Sequence, residues 1–350
     1  MMILGIESSC DETAAAVVED GVRVHSSIVA SQTALHEEYA GVVPEIASRA
    51  HVENMLPVIR EALVQAGVGL GMIDAIAVGN RPGLIGCLLV GVSAAKALSW
   101  SIGKPLIGVD HVGAHLYSGV LDSPAPETLE GDLFPALGLV VSGGHTSMYR
   151  LDSWSTSRRL GGTIDDAMGE AYDKVATIIG LAFPGGPNVD RLAQTPGANP
   201  KAYELPISRL NPQSLDFSFS GLKTAVLYAA RGVPGERGAL PKGPLTDQEK
   251  IDLAASFQRV AVEAVILKLR RALERTPDAK TILTGGGVTA NSRLRSELTK
   301  FAADKKLVLK LPQLKYCVDN AAMVAGLAFH LHAAGMTSGL ELQAVPTTGM

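Results

Sequence analysis

Short apolar runs separated by polar turns open the chain. The apolar residues 2–6 end at a polar cluster, 7–13, and residues 14–18 are again apolar. A turn of acidic residues and glycine follows at 19–21, and apolar and polar residues alternate from Val22. Short apolar runs bounded by turn residues are typical of β-strands. The pattern therefore predicts a strand, a polar turn, a second strand, another turn and a third strand.

Longer periods follow this opening. Apolar residues recur at helical spacing from Pro44 to Ala66, and the segment 83–98 is small and apolar, so both are predicted helices. The apolar runs 73–78 and 105–109 are predicted strands, each preceded by one of these helices or leading into the next. Strands that alternate with helices indicate an α/β fold.

The opening theme returns in the second half. An apolar run, a serine- and glycine-rich turn and an alternating run cover residues 137–151. Later, the apolar residues 282–283 lead into the glycine-rich turn 284–287, and a helical pattern runs from Asn291 to Ala303. The chain thus contains two strand–turn–strand units of the same kind.

Three segments lack any period. Prolines and acidic residues at 123–132 predict a boundary loop, the glycine- and proline-rich residues 233–244 predict another loop, and the residues after Gly335 predict a frayed tail. At 350 residues the chain is too long for one ordinary core, so two domains are expected.

Composition and charge narrow the class of protein. Hydrophobic residues make up 47% and aromatic residues 5%, and the 37 glycines favour α/β sheets with tight turns. The net charge of −4 gives no global basic field for nucleic acid, so RNA binding needs a local patch or a partner. The best local patch consists of lysines: Lys300, Lys305, Lys306, Lys310 and Lys315.

The cysteines and the first residues bear on location. Three cysteines favour a reducing compartment over a disulfide framework. The first residues lack the basic and long apolar regions of a signal peptide, and no uninterrupted apolar run reaches membrane-spanning length. We therefore expect a cytoplasmic protein with no membrane partner.

His111 and His115 carry the most specific chemistry of the sequence. Residues four apart lie on one face of a helix, where two imidazoles can bind one transition-metal ion. A zinc protease of this pattern needs a glutamate directly after the first histidine, and Val112 stands there. The pair therefore indicates a metal site and disfavours a protease, although the spacing alone also fits an ordinary helix start beside Asp110.

The glycine turns add a second kind of site. Turns rich in serine, threonine and glycine present backbone N–H groups to phosphate, and a glycine junction before a helix adds the positive end of its dipole. Two such hairpins and a later strand–glycine–helix junction match the architecture of actin, Hsp70 and sugar kinases, with nucleotide in the interdomain cleft. Neither a P-loop nor a dinucleotide fingerprint is present.

At this level of detail the chain resembles the bacterial tRNA N6-adenosine threonylcarbamoyltransferases, the TsaD family once described as O-sialoglycoprotein endopeptidases. The matching stretches run in order over nearly the whole chain. They are residues 5–13 (GIESSCDET), 43–49 (VPEIASR), the histidine pair, 139–146 (LVVSGGHT), 165–174 (DDAMGEAYDK), 183–187 (FPGGP), 216–224 (DFSFSGLKT), 285–291 (GGGVTAN) and 317–323 (CVDNAAM).

The resemblance implies a fold and a reaction. The fold is a two-domain α/β architecture of the actin, Hsp70 and sugar-kinase (ASKHA) class, with duplicated ribonuclease-H-like domains. Its first domain would be residues 1–115 with a C-terminal helix at about 320–350, and its second 116–319. The reaction transfers a threonylcarbamoyl group from threonylcarbamoyl-AMP to the N6 amine of the adenosine 3′ to the tRNA anticodon, position 37, in tRNAs that read codons beginning with adenine.

The resemblance also implies the ligands of the site. Asp319 matches a third metal ligand beside His111 and His115. Two histidines and one carboxylate with open positions suit one Fe(II) per subunit, with zinc as the alternative. Threonylcarbamoyl-AMP or another adenine nucleotide is the expected organic ligand. The residues that match its binding site are Val140, Val141, Ser142, Gly143, Gly144, His145, Asp173, Gly186, Asp190 and Asn291.

Asp11 and Glu12 lie in the first hairpin turn and are the candidate catalytic carboxylates, with Asp11 preferred as the group that takes or steers the proton of the attacking amine. Two positions depart from the family pattern. Gly113 stands where a glutamate is usual between the histidines, and Arg81 replaces the first glycine of a Gly-Pro-Gly-Leu turn.

The implied partners are tRNA, a paralogue of the same fold resembling TsaB, and an ATPase resembling TsaE. Helix 44–66 and segment 83–98 are candidate docking surfaces that could equally be core. Two other function classes stay open: a carbamoyltransferase acting on a small molecule, and a non-catalytic ATP switch of the Hsp70 or actin kind, which needs no metal site.

Overall fold

The computed structural model describes residues 1–39, 41–123, 133–208, 210–232 and 243–350. Within these ranges the strands form two mixed sheets of five strands each. The first sheet consists of β1 (Met2–Glu7), β2 (Glu12–Glu19), β3 (Arg23–Ser31), β4 (Ala75–Arg81) and β5 (Leu106–Asp110). The second consists of β6 (Ala136–Val141), β7 (Thr146–Leu151), β8 (Ser157–Gly162), β9 (Thr281–Gly285) and β10 (Val308–Lys310).

The two sheets have the same topology. Their strand orders are β3-β2-β1-β4-β5 and β8-β7-β6-β9-β10. In each sheet an opening hairpin is antiparallel, and its first strand pairs in parallel with a later strand, β1 with β4 and β6 with β9. The predicted duplication of the strand–turn–strand unit is therefore confirmed.

The helices fill the connections between these strands. Those in the described residues are α1 (Thr33–His36), α2 (Pro44–Ala66), α3 (Ile85–Ile102), α4 (His111–Tyr117), α5 (Met168–Ile179), α6 (Gly185–Ala193), α7 (Ser220–Arg231), α8 (Asp247–Arg275), α9 (Ser292–Lys305) and α10 (Ala321–Ala333). Helix α2 covers the predicted range, because Pro44 suits a first helical position and Gly67 ends the helix in a left-handed conformation.

One hydrophobic core joins the two halves. It contains residues of the first sheet such as Ile3 and Val109, residues of the second sheet such as Val140 and Leu283, and nearly all of α10. Helix α4 lies in this shared core and is buried along its whole length. The segment that carries the histidine pair is thus packed between the sheets.

The structure corrects the prediction for the residues after Gly335. The helix expected at about 320–350 ends at Ala333, and the following residues are not frayed. Ser338 pairs with Leu106 on the edge strand β5, while Leu342 and Ala344 pack against the core of the first sheet. Apolar packing and pairing with the edge strand β5 therefore order this segment, although its sequence has no hydrophobic periodicity.

Two predicted loops fall mostly outside the described residues. They are the boundary loop at 123–132 and the glycine- and proline-rich segment at 233–244. Helix α3 is long and apolar enough to cross a membrane by length and composition, which the sequence analysis did not anticipate because Lys96 interrupts its apolar run. Its residues Cys87, Leu88 and Val92 are buried within the fold.

Candidate metal and nucleotide site

Helix α4 begins directly at the end of β5. Asp110 caps it, since its Oδ1 accepts hydrogen bonds from the backbone N–H groups of Val112 at 3.0 Å and Gly113 at 3.4 Å. His111 and His115 lie one turn apart, and their ring centroids are 4.5 Å from each other. The predicted helical pair is therefore present and buried.

Asp319 completes a group of three metal-ligand side chains. Its Oδ1 lies 3.1 Å from His115 Nε2 and 3.5 Å from His111 Nε2. Within the part of the chain that the structure describes, these three residues offer ligand atoms that all lie within 4.8 Å of one another. Neither ring nitrogen of His115, although buried, forms a well-shaped hydrogen bond. A cation between the three side chains would bind Nε2 of His115, the nitrogen that faces Asp319, so the donor set fits a metal ion.

Glu7 supports this group from behind. Its fully buried carboxylate accepts a hydrogen bond from His111 Nδ1 at 3.0 Å and another from the N–H of Ser9 at 2.6 Å. A proton on Nδ1 leaves Nε2 of His111 facing Asp319, as a metal ligand requires. Glu7 is not among the site residues predicted from the sequence. A glutamate at the end of an apolar strand was the available signal, but it was assigned to the polar turn.

The charges of the cluster are coupled. Burial alone would raise the pKa of Glu7 and lower that of His111, but their mutual attraction prevails, so the pKa of Glu7 is lowered and that of His111 lies well above its usual value. Asp319 also favours the charged His111, whereas burial and the charge of His111 lower the pKa of His115. In the metal-free site His111 therefore carries a proton that an incoming cation must displace.

A cleft of about 440 Å³ lies over this cluster. Both hairpin turns and two of the three metal-ligand residues, His111 and Asp319, contribute to its wall. The lining residues are Ser9, Cys10, Asp11, Glu12, Pro82, Gly83, Leu84, His111, Ser142, Gly143, Gly144, His145, Gly287, Val318, Asp319 and Pro346. The structure therefore brings the predicted metal ligands, the candidate catalytic carboxylates and the predicted donor-binding turn together.

The turn between β6 and β7 is built to expose its backbone. Ser142 and His145 close it, with the Ser142 N–H donating to the His145 carbonyl at 2.7 Å and the His145 N–H donating to Ser142 Oγ at 3.0 Å. Gly143 and Gly144 face open space. Val140 and Val141 precede the turn as buried residues of β6. Burial, helped by the nearby histidines, lowers the pKa of His145 to about 4, so its ring is neutral at physiological pH.

The other predicted nucleotide residues form a second group in the second half of the chain. Asp173 on α5 accepts a hydrogen bond from the N–H of Gly185 at 2.7 Å, at the start of α6, and burial raises its pKa. Gly186 faces open space beside it. Asp173, Gly186, Asp190 and Asn291 are not among the residues that line the 440 Å³ cleft.

Asp190 and Asn291 are already engaged in hydrogen bonds. Asp190 accepts from the Ser292 hydroxyl at 2.7 Å and from Gln258 Nε2 at 3.0 Å. Asn291 caps α9 through its Oδ1 and donates from its Nδ2 to Gln258 Oε1 at 2.9 Å. Gln258 thus links the two residues. This network explains their position without any ligand, a role that the sequence motifs did not reveal.

Two glycines allow close backbone approaches at the end of β9, and the one at Gly285 brings α4 against the second sheet. A Cβ on Gly285, the last residue of β9, would overlap the backbone carbonyl oxygen of His115, and a Cβ on Gly286 would overlap that of Val141. Only glycine allows this approach. The glycine junction predicted as a nucleotide loop therefore also sets how closely the metal helix packs.

The predicted lysine patch is partly neutralised. Lys300 pairs with Glu297 at 2.9 Å, and Lys315 pairs with Asp122 at 2.9 Å. Exposed pairs of this kind contribute little to stability. They do reduce the positive charge that this surface offers to RNA.

Comparisons with known proteins identify relatives over the full length. The family model described as TsaD, tRNA N6-adenosine threonylcarbamoyltransferase, matches residues 23–326. A protein of that name from Symbiobacterium thermophilum is 49% identical over 350 residues, covering 100% of this chain and 97% of the relative. Another from Trichlorobacter lovleyi is 48% identical over 347 residues, covering 99% and 96%.

Solved structures share the fold at low identity. HypF from T. kodakarensis has a TM-score of 0.58 at 16% identity, over 97% of this chain and 49% of HypF. Component A of the (R)-2-hydroxyglutaryl-CoA dehydratase of Acidaminococcus fermentans has a TM-score of 0.52 at 13% identity, over 95% and 99%. The predicted fold of the actin and sugar-kinase class is confirmed.

Proposed function

Because the chain belongs to the tRNA N6-adenosine threonylcarbamoyltransferase family, we propose that His111, His115 and Asp319 hold a metal ion that orients the acyl group of threonylcarbamoyl-AMP. The enzyme transfers a threonylcarbamoyl group to the N6 amine of an adenosine in tRNA, so tRNA is its substrate. These relatives do not favour a small-molecule carbamoyltransferase or a non-catalytic ATP switch.

One observation carries the proposal for the metal. His111 and Asp319 line the same cleft as the glycine turn, with His115 buried directly beside them, so an ion and an acyl-adenylate would be in reach of each other. We propose one Fe(II) per subunit, with zinc as the alternative, because two imidazoles and one carboxylate leave coordination positions open. A bound ion would supply Lewis acidity to the acyl oxygen.

The protein groups have separate tasks in this proposal. The backbone N–H groups of Gly143 and Gly144 bind the acyl-phosphate end of the donor. Asp173 accepts hydrogen bonds from the ribose hydroxyls, and Gly186 lets the nucleotide approach closely. Asp190 and Asn291 are positioning residues, since both bond to the start of α9 and are linked through Gln258.

The affinity for the donor should therefore depend on the metal. We expect a stable analogue of threonylcarbamoyl-AMP to bind at least about 10-fold more tightly to the metal-loaded enzyme than to the chelator-treated enzyme, since only its acyl end reaches the ion. AMP, which lacks that end, should bind both forms equally. Isothermal titration of both ligands measures this. Equal affinity of the analogue for the two forms would refute the orienting role of the ion.

Helices α2 and α3 offer a surface for a protein partner. They pack side by side, and each leaves large apolar side chains exposed, including Leu56 at 68% and Trp100 at 75% exposure. On α3, Ile85, Leu89 and Trp100 follow helical spacing and lie on one face. A contiguous exposed apolar face of this kind is typical of an interaction site. We propose that it docks the TsaB-like paralogue.

Leu89→Asp should weaken that complex at least about 10-fold, since it places a charge at the centre of the apolar face. Val308→Asp is the matched control, because Val308 is exposed on β10 of the other sheet. Analytical ultracentrifugation of each variant with the purified paralogue measures the effect. An unchanged complex with Leu89→Asp would remove this face as the docking site.

The remaining partner and the location are proposed from the family resemblance. We propose that a TsaE-like ATPase acts with this enzyme and that the enzyme works in the cytoplasm, where its tRNA substrate is found. Cell fractionation tests the location, and co-purification from cells tests the partner.

A further inference from the structure

One carboxylate joins the metal helix to the end of the chain. Asp110 Oδ1 caps α4, and its Oδ2 accepts hydrogen bonds from the Thr348 hydroxyl at 2.9 Å and from the Gly349 N–H at 2.8 Å. The two oxygens of Asp110 thus tie the first turn of α4 to residues 348–350. Hydrogen bonds to an ionised carboxylate are among the strong ones in proteins.

The preceding residues anchor the same segment to the strand next to β5. Asn80, on β4, donates from its Nδ2 to the Gln343 carbonyl at 2.9 Å, and its own carbonyl accepts from the Val345 N–H at 2.9 Å. Pro346 reaches the wall of the 440 Å³ cleft. The segment 343–349 is therefore held by Asn80 at one end and by Asp110 at the other.

Met350 fills the space beside the helix. Its sulfur lies 3.1 Å from the position that a Cβ on Gly113 would occupy, and Leu327 of α10 lies 3.3 Å from it. A side chain on residue 113 would have to displace Met350. Because residue 113 is a glycine, there is room for Met350 beside the helix.

The two departures from the family pattern meet at this segment. Gly113 faces Met350, and a guanidinium nitrogen of Arg81 lies against Gly349, 2.6 Å from the position of a Cβ there. Both residues where the sequence is unusual thus contact residues 349–350. Arg81 and Gly113 therefore border the same short segment from two sides.

We propose that Thr348, Gly349 and Met350 are positioning residues for α4. They hold Asp110 in the orientation that caps the helix, and they fill the space that Gly113 leaves open. His111 follows Asp110 directly, and His115 lies one turn later, so the segment fixes both histidines. The relevance to the metal rests on the proposed function, whereas the support of α4 does not.

A matched pair of substitutions tests the hydroxyl. Thr348→Val keeps the shape of the side chain but removes the donor, and Thr348→Ser keeps the donor. We expect Thr348→Val to bind Co(II) about 10-fold more weakly with an altered visible spectrum, and Thr348→Ser to match the wild type. Deletion of residues 348–350 should weaken binding by about 10–100-fold. Unfolding temperatures and circular dichroism check that each variant is folded.

Amide hydrogen exchange provides a readout that needs no metal. The N–H groups of Val112 and Gly113 should exchange faster in the deletion variant and in Thr348→Val, because their acceptor Asp110 is released. Unchanged exchange in both variants would overturn the proposal. If the wild-type protein binds no Co(II) but both variants exchange faster, the metal site is rejected and the support of α4 stands. If the wild-type protein binds Co(II) and the variants change neither exchange nor Co(II) binding, the metal site stands and the support of α4 is rejected.

Discussion

An Asp319→Asn enzyme should lose its bound metal ion and nearly all of its transfer activity. The substitution removes the charge from one of three ligand side chains, and the remaining two are neutral imidazoles once the ion is bound. Loss of a residue that only supports a ligand costs about 10–100-fold in metal affinity, so loss of a charged ligand should cost at least about 100-fold. Metal content after dialysis and nucleoside mass spectrometry of reacted tRNA measure the two effects.

Asp304→Asn is the control for this experiment, because Asp304 is exposed near the end of α9. AMP binding should survive in Asp319→Asn, since Asp173 lies in the second group of residues and is untouched. Retention of both the ion and the rate would mean that Asp319 is not a ligand. Loss of the ion with a normal rate would mean that the metal takes no part in the transfer reaction.

The second large effect is expected at Asp11. Asp11→Asn should slow transfer by about 10²–10⁴-fold, the usual contribution of a general base, whereas Glu12→Gln should change the rate by less than about 10-fold. Both residues line the cleft, but burial, aided by Asp319 and Asp11, raises the pKa of Glu12 to about 9. Glu12 is then protonated at neutral pH and cannot accept the proton of the attacking amine. Burial is the largest cause of this shift.

Single-turnover rates with preformed threonylcarbamoyl-AMP measure this difference between the two carboxylates. Glu12→Gln mimics the protonated acid and is therefore the internal control for Asp11→Asn. A Glu12→Gln enzyme as slow as Asp11→Asn would reverse the assignment. Equal, nearly normal rates in both would exclude either carboxylate as the base.

Stability gives an independent check on Glu12. Its folded-state pKa lies above its unfolded value, so folding disfavours the ionised form. This destabilisation is absent below the unfolded pKa of 4.5, grows as the pH rises, and is complete above about 9. Glu12→Gln should therefore raise the unfolding temperature of the metal-free protein by an amount that increases over that range.

Much of the architecture could be predicted from the sequence because it depends on local patterns. The strand–turn–strand units and the bounds of α2 follow from the period of the apolar residues and from Pro44 and Gly67. The residues after Gly335 could not be predicted in this way. Their order depends on contacts with Asn80, Leu106 and Asp110, which lie far away along the chain.

The site was predictable only in part. The spacing of His111 and His115 fits a metal site but also an ordinary helix start, and Asp319 came from the family resemblance, since no local pattern joins residues so far apart. Glu7 was not predicted because its burial depends on a partner, His111, that lies 104 residues away along the chain. The engagement of Asn291 with Gln258 was equally hidden, because Gln258 lies in the middle of a long helix.

The close approach of Gly285 to His115 limits how the enzyme can open. Helix α4 follows the first sheet in sequence, yet it shares its core with the second sheet through β9. A wide separation of the two halves would strip this helix of packing on one side. We therefore expect donor and tRNA to exchange through movements of the turns around the cleft, with the two sheets staying together through the catalytic cycle.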